Sequence, residues 1–204
     1  MTILVIASGN AGKVREFGAL LADLGLDTQP QPEGLEVEET GNSFADNARL
    51  KAEAVARATG CWALADDSGL SVEALGGAPG VHSARYADSD SARIERLLRE
   101  LSDVGASSPT VRSAHFTAAL ALANPQGEIG LEVEGICPGR ILEAPRGSGG
   151  FGYDPVFFVP EAALTFAEMP HSQKAALGHR GRAFAALKPR LEALLAEAHG
   201  AGGL

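Results

Sequence analysis

Residues 61–80 read CWALADDSGLSVEALGGAPG. An apolar run from Cys61 to Ala65 meets two adjacent carboxylates, Asp66 and Asp67, and Ser68-Gly69 follows. Consecutive apolar residues of this length are the pattern of a strand buried on both faces. The pattern predicts a strand over 61–65 with the aspartates at its C-terminal end, where open α/β sheets bind ligands. Neighbouring strand side chains point to opposite faces. One aspartate therefore faces a site, and the other takes a structural hydrogen-bonding role. Asp and Ser-Gly are also ordinary choices for a strand-ending turn. Two charges directly after an apolar strand nonetheless need a cation or a donor network, and carboxylate oxygens suit Mg²⁺.

Outward from this stretch the chain alternates strand and helix signals. Residues 2–7 are aliphatic and β-branched and read as a first strand, followed by the turn Ser8-Gly9-Asn10-Ala11-Gly12. Val14, Phe17, Leu21 and Leu24 then recur at helical spacing up to Gly25. Residues 28–42 are polar, hold two prolines and read as a loop with a short strand. Ser43 caps a helix from Phe44 to about Ala58, which Gly60 ends. Ala92 to Leu101 is helical, and Val111–Ala123 and Ile129–Ile136 form a hairpin across Asn124-Pro125-Gln126-Gly127. A glycine-rich loop over 145–155, a short strand over 157–159 and a helix from Arg180 to about Ala198 complete the chain. The expected fold is mixed α/β in one domain over 1–204. The 111–142 hairpin is expected to form a second lobe, leaving a cleft between the two.

Composition narrows the function. The chain has 204 residues, 45% of them hydrophobic, enough for a sizeable core. A net charge of −9 argues against a protein that coats nucleic acid, since such proteins show a basic face. No apolar run approaches the roughly 20 residues that span a bilayer, and the first residues lack the basic leader of a signal peptide. The two cysteines, Cys61 and Cys137, form no CxxC pair, which points to a reduced, cytoplasmic chain.

Five stretches carry chemistry. SGNAGK (8–13) joins a strand to a helix start, where backbone N–H groups favour phosphate and Lys13 adds a charge. It is not a Walker A loop, because two residues rather than four separate its glycines and Val14 follows the lysine. In EETGNSFADNARLKA (38–52), Asn47 and Lys51 share a helix face, with Glu38 and Glu39 just ahead. The third stretch is the Asp66-Asp67 pair. In GSGGFGYDP (147–155), glycines allow close backbone approach, Phe151 and Tyr153 can stack on a planar ring, and Asp154 can accept from base N–H groups. KAALGHRGRA (174–183) groups Lys174, His179, Arg180 and Arg182 in an acidic protein. His82, His115, His171 and His199 show no metal-ligand spacing. Each stretch alone also reads as ordinary structure. Together they supply what a nucleoside triphosphate needs.

In this order the pieces resemble the inosine triphosphate pyrophosphatase family, also called the Ham1-like or non-canonical purine nucleotide pyrophosphatases. The resemblance rests on Ser8-Gly9-Asn10 with Lys13 and Glu16; Glu39-Thr40-Gly41 with Phe44, Asn47-Ala48 and Lys51-Ala52; and Asp66 to Leu70. It continues through Pro79-Gly80, Ser83 to Tyr86, Gly150 to Pro155, Ala167 to Met169, Lys174 and His179-Arg180. It implies hydrolysis of ITP, dITP and XTP to the monophosphate and pyrophosphate, with Mg²⁺. It also implies an elongated two-lobed fold, a central twisted mixed sheet flanked by helices, an active-site cleft between the lobes, and a homodimer. On this resemblance Ser8, Gly9, Asn10, Ala11, Gly12, Lys13 and Lys51 hold phosphates. Asp67 serves the metal and acts as base, with Glu39 or Glu38 as the other acidic partner. Phe151, Gly152, Tyr153, Asp154, His179 and Arg180 surround the base, and Ser68 and Lys174 also contact the nucleotide. Three positions depart from the family pattern: Gly178 stands where serine is usual, Arg93 where asparagine is frequent, and Ser8 where threonine is common, the last keeping the hydroxyl.

Overall fold

The structure, a computed structural model, describes residues 3–201, with side chains as far as residue 196. Thr2 of the expected first strand and the side chain of His199 lie outside the described residues. Seven strands form one mixed sheet, ordered β2-β1-β3-β4-β5-β6-β7. The chain divides into two compact units, one of Met1–Asp67, Ala119–Glu134 and Ala183–Leu204, the other of Ser68–Ala118 and Gly135–Arg182. The second unit is therefore not the 111–142 hairpin, whose residues are shared between the two.

The first unit is built on β1 (Ile3–Ala7), which pairs in parallel with β2 (Asp27–Pro30) and with β3 (Trp62–Val72). Parallel neighbours require crossover helices, and α1 (Ala11–Leu21) and α2 (Phe44–Thr59) supply them. Phe17 and Leu21 bury one face of α1, each contributing roughly 1.5–3 kcal/mol. Helix α2 begins where expected: Ser43 Oγ accepts from the Asp46 N–H at 3.1 Å, and Gly60 ends it with φ +65°. The core beneath α2 is made largely of alanine: Ala48, Ala52, Ala56, Ala63, Ala65, Ala119, Ala121 and Ala123, with Val5 and Val55. Such small side chains let the helix lie close against the sheet.

Strand β3 corrects one expectation. Sequence reasoning ended it at Ala65, yet it runs on to Val72, so both aspartates lie inside it. Leu70 and Val72 are fully buried in the core of the second unit, and that packing overrides the turn preference of Ser68-Gly69. The functional half of the expectation survives in another form. Ala65 is the register partner of Ala7, the last residue of β1. Asp66 and Asp67 thus lie just past the C-terminal end of β1 rather than of their own strand.

The second unit contains α3 (Asp90–Asp103), β6 (Phe157–Val159), β7 (Leu164–Thr165), α4 (His171–Leu177) and the start of α5 (His179–Ala201). It also holds parts of β4 (Ser113–Ala123) and β5 (Ile129–Ile141). Strand β4 starts two residues later than expected because Pro109–Arg112 forms a 3₁₀ turn. Strands β5, β6 and β7 pair antiparallel. The core here is aromatic: Phe116 meets Phe157 edge-on at 4.7 Å, and Phe157 lies 4.8 Å from Phe166.

Candidate active site

In the first unit, the turn after β1 organises itself. Asn10 Oδ1 accepts from the N–H groups of Gly12 (2.8 Å) and Lys13 (3.3 Å), capping α1, and Ser8 Oγ accepts from Asn10 N–H at 3.1 Å. Two of the backbone donors expected to meet phosphate are thus committed to Asn10. Lys13 Nζ pairs with Asp66 Oδ2 at 2.6 Å, where the Asp66 side chain is only 2% exposed. Asp66 does not hold a turn, since none exists there; it holds the lysine of the phosphate-loop candidate. A hollow of about 570 Å³ opens between this turn, from Ser8 to Arg15, and the segment from Pro30 to Glu36. Gly9, on its wall, has open space where a Cβ would stand, so backbone is reachable there.

Lys51 joins the carboxylates. Its Nζ donates to Glu39 Oε1 (2.8 Å), Asp67 Oδ1 (3.1 Å) and the Asp66 carbonyl (2.9 Å). The choice between Glu38 and Glu39 follows from alternation: residues 35, 37 and 39 are partly buried, while Glu36 and Glu38 are exposed. Leu35 and Val37 pack on the alanine core, which turns Glu39 inward and Glu38 to solvent. Burial lifts the Asp67 carboxyl above its ordinary pKa; Lys51 opposes that lift and Glu39 adds to it. Burial alone would lower Lys51, but Asp67 and Glu39 outweigh it and hold the ammonium above its usual value.

Asp67 Oδ2 is buried and has no hydrogen-bond donor of normal geometry among the described residues. The Asn47 amide is nevertheless close enough to draw the Asp67 pKa down. A buried carboxylate oxygen left in this state, beside a second carboxylate, fits a hard divalent cation. No group of three or more His, Cys, Asp or Glu among the described residues is placed to hold a metal. Glu39 and Asp67 would therefore leave most of a Mg²⁺ shell to water and phosphate, as that ion prefers.

The second unit gathers the base-side residues. Asp154, 3% exposed, accepts from the Phe151 N–H at 2.9 Å through Oδ2, and the same oxygen pairs with Lys174 Nζ. This arrangement requires Gly150: its φ is +75°, and a Cβ there would lie 1.9 Å from Asp154 Oδ2. The Phe151 ring stands out at 56% exposure. Lys174 Nζ lies 5.0 Å and the Arg180 guanidinium carbon 5.8 Å from its centroid. Arg180 also donates to Ser68 Oγ at 3.0 Å. Tyr153 is a correction. It is buried, its hydroxyl donates to the Ser83 carbonyl at 2.9 Å, and burial pushes its pKa upward. It packs in the core of the second unit. His179 is buried with its ring stacked on Phe116 at 4.8 Å, so one of its faces is already filled.

Sequence reasoning gave no role to three residues. Asn47 is fully buried and accepts from Gly41 N–H at 2.8 Å, fixing the approach of Glu39; its spacing from Lys51 was the available signal. Ser83 receives the Tyr153 hydroxyl and accepts from Leu70 N–H at 2.9 Å. Asp90 accepts from Gly152 N–H at 2.7 Å, a contact between residues far apart in sequence that no local pattern announces.

Known proteins are similar to this chain. A family model described as the Ham1 family matches residues 4–190. A protein of Synechococcus sp. named dITP/XTP pyrophosphatase is 64% identical over 95% of this chain and 91% of its own. One of Nostoc sp. with the same name is 56% identical over 95% and 96%. Among solved structures, a HAM1 protein from Coxiella burnetii superposes with a TM-score of 0.86 at 42% identity, covering 97% of this chain and all of that one. A Mycobacterium abscessus structure titled nucleoside-triphosphatase / dITP/XTP pyrophosphatase gives 0.75 at 42% identity, covering 92% and 100%.

Proposed function

The chain belongs to the Ham1 family, and on that premise we propose that it hydrolyses the non-canonical purine nucleoside triphosphates dITP, XTP and ITP to the nucleoside monophosphate and pyrophosphate. The observation that carries the mechanism is Lys51 held between Glu39 and Asp67, with Asp67 Oδ2 buried and lacking a donor of normal geometry among the described residues. The raised pKa of Asp67 makes its carboxylate a better proton acceptor than an exposed aspartate. It takes a proton from water as the water oxygen bonds to the α-phosphorus; the bond from that phosphorus to the bridging oxygen breaks, and pyrophosphate leaves. Lys51, and Lys13 once drawn from Asp66, neutralise charge on the phosphates. Glu39 and Asp67 would hold Mg²⁺, which when bound supplies Lewis-acid stabilisation of phosphate charge.

The exposed Phe151 ring offers the purine a stacking surface. Lys174 and Arg180 beside it are donors only. They suit the 6-oxo group of hypoxanthine or xanthine and mismatch the 6-amino group of adenine, a difference worth ~10²-fold or more. The same reading makes the protein a cytoplasmic homodimer. Its free thiols, Cys61 and Cys137, agree with a reducing compartment, and the dimer follows from the resemblance alone. No helix among the described residues is long and apolar enough to cross a membrane.

Hydrolysis of dITP in ¹⁸O-labelled water with Mg²⁺ tests the point of attack. Label is expected in dIMP, with one unlabelled pyrophosphate per turnover. Orthophosphate release, or label in pyrophosphate, contradicts attack at the α-phosphorus.

A further inference from the structure

Phe151 is an exposed ring on a glycine-flanked loop, yet both peptide units that flank it are tethered by carboxylates. Its own N–H donates to Asp154 Oδ2 at 2.9 Å, and the next N–H, that of Gly152, donates to Asp90 Oδ2 at 2.7 Å. Fixing the peptide planes on both sides of a residue fixes its φ and ψ, and with them the direction of its Cα–Cβ bond. Gly152 has φ +60°, a left-handed backbone conformation that the bond from its N–H to Asp90 helps to hold. The tether is itself oriented. Asp90 Oδ1 receives Arg93 Nη1 at 2.7 Å, and Arg93 Nε donates to the Ala87 carbonyl at 3.0 Å. Ser89 caps α3 through the Ala92 N–H at 3.2 Å, so the Asp90 carboxylate is not the helix cap.

We propose that Asp90, oriented by Arg93, is a positioning residue that aims the Phe151 ring at the purine and so sets nucleotide affinity without touching the substrate. The proposal rests on the reading of Phe151 as the base platform. It also gives a role to Arg93, a position where this chain departs from the pattern it resembles: the guanidinium reaches both Asp90 and the Ala87 carbonyl, a span that the shorter asparagine side chain lacks the length to bridge.

The test compares wild type, Asp90→Ala and Asp90→Asn in the full chain. Asparagine keeps an acceptor oxygen for Gly152 N–H, and alanine does not. Asp90→Ala is expected to raise KM for dITP about tenfold, the scale of one hydrogen bond to a charged group, with kcat within about twofold and an unchanged melting temperature. Asp90→Asn is expected to restore most of the affinity. Amide exchange at Gly152, read by NMR without nucleotide, is expected to accelerate in Asp90→Ala and not in Asp90→Asn. Accelerated exchange with unchanged KM overturns the positioning role, as does a fall in kcat alone, or an Asn variant as impaired as Ala. If the wild type turns over no dITP, the functional reading fails separately. Calorimetric dITP affinity in the same three proteins then decides the role of Asp90, equal affinities overturning it.

Discussion

Replacing Asp67 by asparagine separates catalysis from folding, because it should cost the first far more than the second. The substitution keeps the side-chain volume and leaves an oxygen to accept from Lys51, which sits 3.1 Å from Oδ1 and is also held by Glu39 at 2.8 Å. It removes the charge and the proton-accepting capacity of Oδ2, the atom lacking a donor of normal geometry among the described residues. Loss of a general base costs about 10²–10⁴-fold in rate, so kcat for dITP should fall by at least ~10² while calorimetric affinity for dITP changes little. Stability should change little. The folded pKa of Asp67 is raised, chiefly by burial. A raised carboxyl favours the protonated form in the fold, so its stabilising effect is complete below the unfolded pKa and is lost as pH rises through the folded one. At neutral pH asparagine relieves the cost of the buried carboxylate but removes the charge that, against burial, most holds the Lys51 ammonium above its usual value, so the two effects oppose. Rapid-quench pyrophosphate release and thermal melts at neutral pH measure the two effects. A kcat within about tenfold of wild type contradicts the assignment of the base. A large fall in melting temperature would assign the loss of activity to the fold instead.

Three further outcomes follow from the same geometry. The acid limb of kcat/KM against pH should lie above the ordinary aspartate value of about 3.9, because activity needs ionised Asp67 and its pKa is raised; Asp67→Asn should abolish that limb, and a limb at or below the ordinary value assigns it to another group. Arg180→Ala removes the donor to Ser68 Oγ and the cation beside Phe151, so kcat/KM for ITP should fall by roughly 10- to 150-fold and that for ATP by less; equal losses would mean that Arg180 serves the phosphates or the fold. Gly150→Ala puts a Cβ onto Asp154 Oδ2 and should raise KM with little change in kcat, whereas an unchanged KM would show that the Phe151 tether is dispensable.

Much of this architecture is legible in the chain, and the illegible parts share a cause. Helix α2 announces itself through Ser43, Gly60 and a buried face of alanines, all local signals, and local signals also put Asn47 and Lys51 on one side of it. That Glu39 rather than Glu38 turns inward to Lys51 depends on the packing of Leu35 and Val37 on the alanine core. The run of β3 past Asp67 was not legible, because Ser68-Gly69 carries turn chemistry and only the distant core around Leu70 and Val72 overrules it. Tyr153 and Phe151 are two aromatics among glycines with no periodicity to separate them. The separation comes from the Ser83 carbonyl, seventy positions away. Lys13 reads as a phosphate ligand and Asp66 as the structural aspartate, and their pairing required knowing that β1 and β3 are neighbours.

The central claim is tested most directly by pyrophosphate release across a panel of dITP, XTP, ITP, ATP, GTP, dTTP and UTP, with and without Mg²⁺, read as kcat/KM. The account expects dITP, XTP and ITP to exceed ATP by ~10²-fold or more, with turnover dependent on the metal. Preference for dTTP or UTP would assign the chain a pyrimidine-directed, Maf-like activity instead. Tight ITP binding with no pyrophosphate released would make it a nucleotide-binding protein without catalysis, and either result contradicts the account.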